Sequence, residues 1–142
     1  MTLVIVDYNR TIYDPYTNVL MDGALEMLQG LKQKGCTLVL VSRGADREAR
    51  LRELGLTELF AERLNVWDKT PELFKEIMAR HPAEKTYVIG DHPYQEIRAG
   101  NLAGAFTIQF DQGVFADYAP ESEADTPRVK IKKLEEALDR IA

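Results

Sequence analysis

The chain has 142 residues, 45% of them hydrophobic and 29% charged, with a formal net charge of −5. This fits one compact domain over 1–142, and no apolar run approaches the roughly 18 to 20 residues that span a bilayer. No dense basic block marks an extended nucleic-acid footprint. The opening Met-Thr-Leu-Val-Ile-Val-Asp lacks the basic region and cleavage site of a secretory signal, and a lone Cys36 offers no internal disulfide, so the expectation is a cytoplasmic protein without membrane association.

Leu3-Val4-Ile5-Val6 is wholly apolar and largely β-branched, the pattern of a strand buried on both faces. Ala24, Leu25, Met27, Leu28 and Leu31 have helical spacing and predict a helix over 21–34, closed by Gly35. Thr37-Leu38-Val39-Leu40-Val41 is the second buried strand. A helix is expected over 47–54, closed by Gly55. Arg43, Arg47, Arg50 and Arg52 lie close together around it, either as a solvated helix face or as a patch that attracts an anionic substrate. Leu64-Asn65-Val66 is a weaker third strand. Pro71 opens a helix that runs to about residue 80, at the position where its missing N–H costs least. Thr86-Tyr87-Val88-Ile89 is the fourth strand, 94–103 the next helix, and Ala105-Phe106-Thr107-Ile108 the fifth strand. The irregular stretch 111–128 is expected to be a mobile loop, and 129–141 a closing amphipathic helix with a solvated, mixed-charge face.

Strict alternation of strand and helix predicts an α/β fold. The expected form is one Rossmann-like domain with a central parallel β-sheet of about five strands and helices on both faces. In such sheets the ligand site lies beyond the carboxyl ends of the strands. Asp7, Ser42 and Asp91 follow the three strongest strands, and Lys69 stands just before a helix. Two carboxylates at neighbouring strand ends are costly without a cation between them, and Mg²⁺ suits carboxylate, carbonyl and phosphate oxygens. Ser42 can donate to a phosphate oxygen, helped by the backbone amides of Arg43 and Gly44. Lys69 supplies a compensating positive charge. Together these groups suit phosphoryl transfer to a carboxylate nucleophile.

On these residues the sequence resembles the haloacid dehalogenase (HAD) superfamily along nearly its whole length. The family's first motif, Asp-x-Asp-x-Thr after an apolar strand, corresponds to Asp7-Tyr8-Asn9-Arg10-Thr11, with one departure. The second corresponds to Leu40-Val41-Ser42-Arg43-Gly44, the third to Lys69-Thr70-Pro71, and the fourth to Gly90-Asp91 with Glu96. The resemblance implies that Asp7 attacks phosphorus to form an aspartyl-phosphate. It further implies that Ser42, with Thr11, Arg43 and Gly44, holds the substrate phosphate, and that Lys69 orients Asp7. Asp7, the backbone carbonyl of Asn9 and Asp91 would be the Mg²⁺ ligands. Glu96 reads either as a further acid reaching the metal through water or as a carboxylate favoured by a helix N-terminus.

The departure is Asn9, where the family's phosphatases carry an Asp that protonates the leaving group and later activates water. An amide has no usable proton-transfer pKa, and losing general acid–base help costs about 10² to 10⁴ in rate. The expectation is therefore a slow or impaired HAD-like phosphohydrolase. The alternative is a non-catalytic phosphate-binding or protein-interaction module on the same scaffold. Neither the stretch from Asp7 to Ser42 nor that from Ser42 to Lys69 has room for a cap domain, which also argues against small-substrate dehalogenation. A capless site implies a phosphorylated substrate that can be macromolecular, or closure by a homo-oligomer. Tyr13-Asp14-Pro15-Tyr16 reads as an ordinary Pro turn or a local lid. His81 reads as a helix C-terminal residue, His92 as a group that could touch substrate or replace the missing acid, and Trp67 as packing beneath its loop.

Overall fold

In a computed structural model, which describes residues 1–44 and 48–141, the first apolar run becomes β1 (Thr2–Asp7), buried throughout save for Thr2. A two-stranded antiparallel hairpin follows, β2 (Tyr13–Asp14) and β3 (Val19–Leu20). Then come α1 (Ala24–Gln33), β4 (Thr37–Arg43), α2 (Glu48–Glu53) and β5 (Glu62–Val66). The remainder is α3 (Pro71–Arg80), β6 (Lys85–Gly90), α4 (Arg98–Ala103), β7 (Phe106–Phe110), β8 (Val129–Ile131) and α5 (Ala137–Arg140). Arg47 and the expected start of the second helix lie outside the described residues.

The main sheet is parallel and six-stranded, in the order β5-β4-β1-β6-β7-β8. Alternation along the strands splits the core in two. Val4, Val6, Leu38, Leu40 and Ile89 pack with Met27, Leu28 and Leu31 of α1 and with Ala137 of α5. Leu3, Ile5, Val39, Val41 and Val88 face the other way, onto Phe74 and Ile77 of α3 and Ala99 of α4. Helices thus cover both faces, and the central strands β1 and β4 need apolar residues at nearly every position, which is why these runs lack the usual polar alternation. Among the described residues no helix is long and apolar enough to cross a membrane.

The sixth strand departs from the expectation of about five. Val129-Lys130-Ile131 alternates with a period of two, and Val129 pairs with Ile108 while Ile131 pairs with Phe110. The closing helix expected over 129–141 shrinks to a short 3₁₀ turn at Leu134–Glu136 and the single turn of α5. The helix expected over 94–103 begins as a π-helical turn at Pro93–Ile97 and becomes α-helical only at Arg98. The stretch 111–128 is tied down. Arg98 makes a paired contact with the buried carboxylate of Asp125, 2.9 Å from Nη2 to Oδ2, and Asn101 Nδ2 donates to the carbonyls of Ala124 and Thr126 at 2.7 and 2.8 Å. Trp67 does not pack beneath its loop; it is 80% exposed. His81 caps α3 as expected, with Nε2 3.2 Å from Glu62.

Candidate active site

Registry fixes the centre of the site. Asp7 pairs with Val41 of β4, and Val6 pairs with Ile89 of β6, so Asp7 and Asp91 emerge at adjacent strand ends. The chain then turns tightly. The carbonyl of Tyr8 accepts the N–H groups of Thr11, Ile12 and Tyr13, and the carbonyl of Tyr13 accepts that of Arg10 at 2.7 Å. This turn forces Arg10 into the left-handed region at φ 63, a conformation uncommon for a side chain of its kind. It also returns Thr11 beneath Asp7, where Oγ1 donates to Oδ2 at 3.2 Å in full burial.

Lys69 arrives from the other side, one residue before Thr70, whose hydroxyl caps α3 by accepting the N–H of Leu73 at 3.1 Å. Its Nζ hydrogen-bonds Asp7 Oδ1 and lies 3.3 Å from Glu96 Oε2, with the side chain 6% exposed. Both oxygens of Asp7 are thus held, one by a cation and one by a hydroxyl.

Glu96 works mainly as a scaffold. Its Oε1 accepts the backbone N–H groups of Asp91 and His92, each at 3.0 Å, while Oε2 faces Lys69. A Cβ at position 90 would stand 2.1 Å from Glu96 Cγ, so Gly90 is what lets this carboxylate lie over the strand end. The two N–H bonds bend the chain into the π-helical turn and aim Asp91. Asp91 receives Arg10 Nε on Oδ2 at 3.2 Å, and its buried Oδ1 has no hydrogen-bond partner among the described residues.

The charges explain the titration. Burial, then the nearby charge of Glu96, raises Asp7 to about 6 against the pull of Lys69. Burial and the charges of Asp7 and Glu96 raise Asp91 to about 9. Burial opposes ionisation of Lys69 and Glu96 as well, but each wins more from its partners. Lys69 is held above its ordinary value by Asp7 and Glu96, and Glu96 below its own by Lys69 and by the backbone donors. Three carboxylates against Lys69 and Arg10 leave an excess of negative charge in a buried site, which a proton or a metal ion must offset. Asp7, Asp91 and Glu96 have oxygens within 4.8 Å of one another. Asp7 and Glu96 each have both oxygens engaged, so the unpartnered Oδ1 of Asp91 is the oxygen of this group most open to a hard divalent cation, with Asp7 and Glu96 beside it.

The cleft around Asp7 is also lined by Asn9, Arg10, Arg43, His92 and Gln95. Ser42 stands one residue beyond the partner of Asp7, buried, with an Oγ that has no partner among the described residues. It lines a neighbouring small pocket with Glu48, Arg63 and Asn65. The Gly44 N–H is committed to the carbonyl of Val66 at 3.2 Å, and so is not the free amide expected beside Ser42. His92 Nδ1 accepts the N–H of Tyr94 at 3.1 Å, and its ring stacks on Phe115 with centroids 4.0 Å apart. Burial lowers its pKa, so the imidazole is neutral and a poor substitute for the acid missing at Asn9. Arg10, Gln95 and Phe115 were not expected at the site. Only Arg10 left a signal, as a bulky residue in a tight turn beside the nucleophile.

A family model described as haloacid dehalogenase-like hydrolase matches residues 2–104. The glyceraldehyde 3-phosphate phosphatase of Methanopyrus kandleri is 29% identical, over 95% of this chain and 61% of its own length. YfnB of Bacillus subtilis, described as a HAD-hydrolase, is 32% identical over 82% of this chain and 52% of its own length. The chain thus spans about half to three-fifths of the curated relatives it matches. The crystal structure of YfnB, bound to magnesium, superposes with a TM-score of 0.72 at 28% identity, over 86% of this chain and 56% of that one. A HAD-superfamily hydrolase from Geobacter sulfurreducens shares the fold over 99% of both chains, with a TM-score of 0.80 at 11% identity. With more than half its length matched by the family model, the chain belongs to the haloacid dehalogenase-like hydrolases.

Proposed function

We propose that the chain is a Mg²⁺-dependent phosphohydrolase that works through an aspartyl-phosphate on Asp7, slowed by Asn9. The observation that carries this reading is a carboxylate fixed at both oxygens, by Lys69 and Thr11, beside an Asp91 whose Oδ1 is buried and unpartnered. A structural ion pair alone has no use for that second, costly carboxylate. Mg²⁺, when bound, would offset the carboxylates and supply positive charge for the substrate phosphate.

In the first step an oxygen of Asp7 forms a bond to phosphorus as the ester P–O bond breaks, and the leaving oxygen departs with the electron pair. Lys69 orients Asp7 and offsets charge on the phosphoryl oxygens. In the second step water attacks phosphorus, releasing Asp7 and inorganic phosphate and giving up a proton. Asn9 can neither supply the first proton nor accept the second, so substrates with good leaving groups, acyl or aryl phosphates, are favoured. No cap lies between Asp7 and Lys69, so the cleft admits phosphorylated substrates of macromolecular size, and a homo-oligomer is one way to cover it. Asn9 also favours a second reading, phosphate binding without turnover.

The test is incubation with Mg²⁺ and an aryl phosphate, followed by mass spectrometry of the acid-quenched protein. A phosphoryl adduct on the Asp7 peptide is expected. Absence of both adduct and phosphate release would sink the enzymatic reading and leave the binding module.

A further inference from the structure

Beside the nucleophile cleft lies a second cavity of about 340 Å³, lined by Tyr8, Asn9, Arg10, Tyr13, Pro15, Asn18 and Arg50. The two share Asn9 and Arg10, so the cavities adjoin. We infer that it is a subsite for a second anionic group, a phosphate or carboxylate a few bonds from the phosphate that meets Asp7. This assignment rests on the phosphohydrolase reading and names its substrate class: phosphomonoesters that carry a second negative charge.

Composition is the first ground. The lining holds two guanidinium groups and no carboxylate, in a chain whose 23 acidic residues outnumber its 18 basic ones. Arg10 is fixed there rather than trailing into solvent. Its Nε is on Asp91, and its guanidinium lies over the ring of Phe115, 4.8 Å from the centroid. Those contacts use Nε and one face, and the terminal nitrogens have no hydrogen-bond partner among the described residues, which leaves the fork that grips phosphate and carboxylate.

Backbone strain is the second ground. Among the described residues the only non-glycine positions at positive φ are Arg10 (63) and Asn18 (61), and both line this cavity. Such conformations persist where surrounding structure imposes them, and they gather at ligand sites. Here the hairpin is strapped to α2. Arg50 donates to the carbonyl of Asn18 and lies over the ring of Tyr13, 5.4 Å from its centroid, while Tyr13 Oη donates to Asn18 Oδ1 at 2.9 Å. Arg50 Nη1 also pairs with Glu53 Oε2 at 2.8 Å, an exposed contact worth little in water that a bound anion would have to displace.

Calorimetry on the full chain in excess Mg²⁺ tests the subsite, with methylphosphonate and phosphonoacetate as probes. Both present a phosphonate to the nucleophile site, and only the second adds a carboxylate. Phosphonoacetate should bind at least about tenfold more tightly, as expected for one added charge-assisted contact. In Arg50→Met, with unchanged circular dichroism, that ratio should fall at least about fivefold. Equal affinities in the natural protein, or a ratio that survives Arg50→Met, would overturn the subsite while leaving the phosphohydrolase reading intact. Failure of both probes to bind would overturn the subsite and the phosphohydrolase reading together.

Discussion

Arg10 and Asp91 divide one carboxylate between two tasks: Nε of Arg10 holds Oδ2 at 3.2 Å, and Oδ1 stays buried without a hydrogen bond. A side chain gripped at one oxygen presents the other in a fixed direction, the arrangement by which neighbouring residues orient metal ligands. Arg10→Met should therefore weaken Mg²⁺ binding about 10- to 100-fold. Titration calorimetry of the variant is the measurement. Tighter binding would mean that Arg10 instead competes with the cation.

Asn9→Asp restores a group that can shuttle protons beside Asp7. The variant should hydrolyse an aryl phosphate about 10² to 10⁴ times faster, with the larger gains for poor leaving groups. Steady-state phosphate release for a series of phenols of rising pKa would show it. A variant no faster than the natural chain would place the defect elsewhere in the cleft.

The metal-free protein should lose stability as pH rises. Asp7 and Asp91 stand near 6 and 9 when folded, above the ordinary carboxylate value of 3.8. Acids so raised bind more protons folded than unfolded, so their contribution is complete below about pH 4 and fades as pH climbs through 6 and then 9. Glu96 and His92, both held below their usual values, act in the opposite direction, Glu96 in the acid range and His92 up to about pH 6.5, so they offset only the start of the fall. The melting temperature without metal should fall from pH 5.5 to 8.5, and saturating Mg²⁺ should remove most of the fall. Scanning calorimetry with and without the ion decides it, and a flat profile would contradict the buried charge excess.

Gly90→Ala places a methyl where Glu96 Cγ already lies, 2.1 Å away. Overpacking of this kind costs about 1 to 3 kcal/mol. The displaced carboxylate would also release the N–H groups of Asp91 and His92. The expected result is a lower midpoint in urea together with weaker Mg²⁺ binding. Normal stability with normal binding would show that Glu96 has another seat.

Asp125→Ala tests the anchor of the stretch 111–128. The carboxylate is fully buried and receives Arg98 as well as the N–H groups of Glu121 and Ser122, at 2.9 and 3.1 Å. Leaving those donors unmatched costs about 1 to 3 kcal/mol. Limited proteolysis should then cut within 111–128 well before the core. Unchanged protease resistance would show that Phe115 stacked on His92 suffices to hold the segment.

Much of the fold was legible because it depends on short-range pattern. Apolar runs marked the buried strands, and Asp7, Asp91 and Lys69 stood out as polar residues at the end of a strand or the mouth of a helix. Those residues do converge, through Asp7–Lys69 and the pairing of β1 with β6. The features that escaped depend on partners distant in sequence. Val129-Lys130-Ile131 becomes a strand because β7 offers it an edge, while the same residues also suit the amphipathic pattern of a helix. Glu96 lay open between two readings because its backbone partners exist only once the chain bends at Pro93–Ile97. Arg10 and Phe115 come from opposite ends of the sequence, and nothing local in either segment announces their contact.

The sheet order has a consequence for how such a protein can change. β1, which ends in Asp7, is flanked on both sides by hydrogen-bonded strands, whereas the hairpin with Tyr13 and Asn18, and the segment with Phe115, lie outside the main sheet. Amide exchange should accordingly be slower in β1 than in the hairpin and the Phe115 segment, which side-chain contacts rather than flanking strands hold in place. Substitutions can accumulate in the fast-exchanging periphery, redirecting recognition, while the strands that hold the chemistry stay as they are. That separation makes the scaffold evolvable, with the periphery free to drift and the carboxylate of Asp7 kept in register.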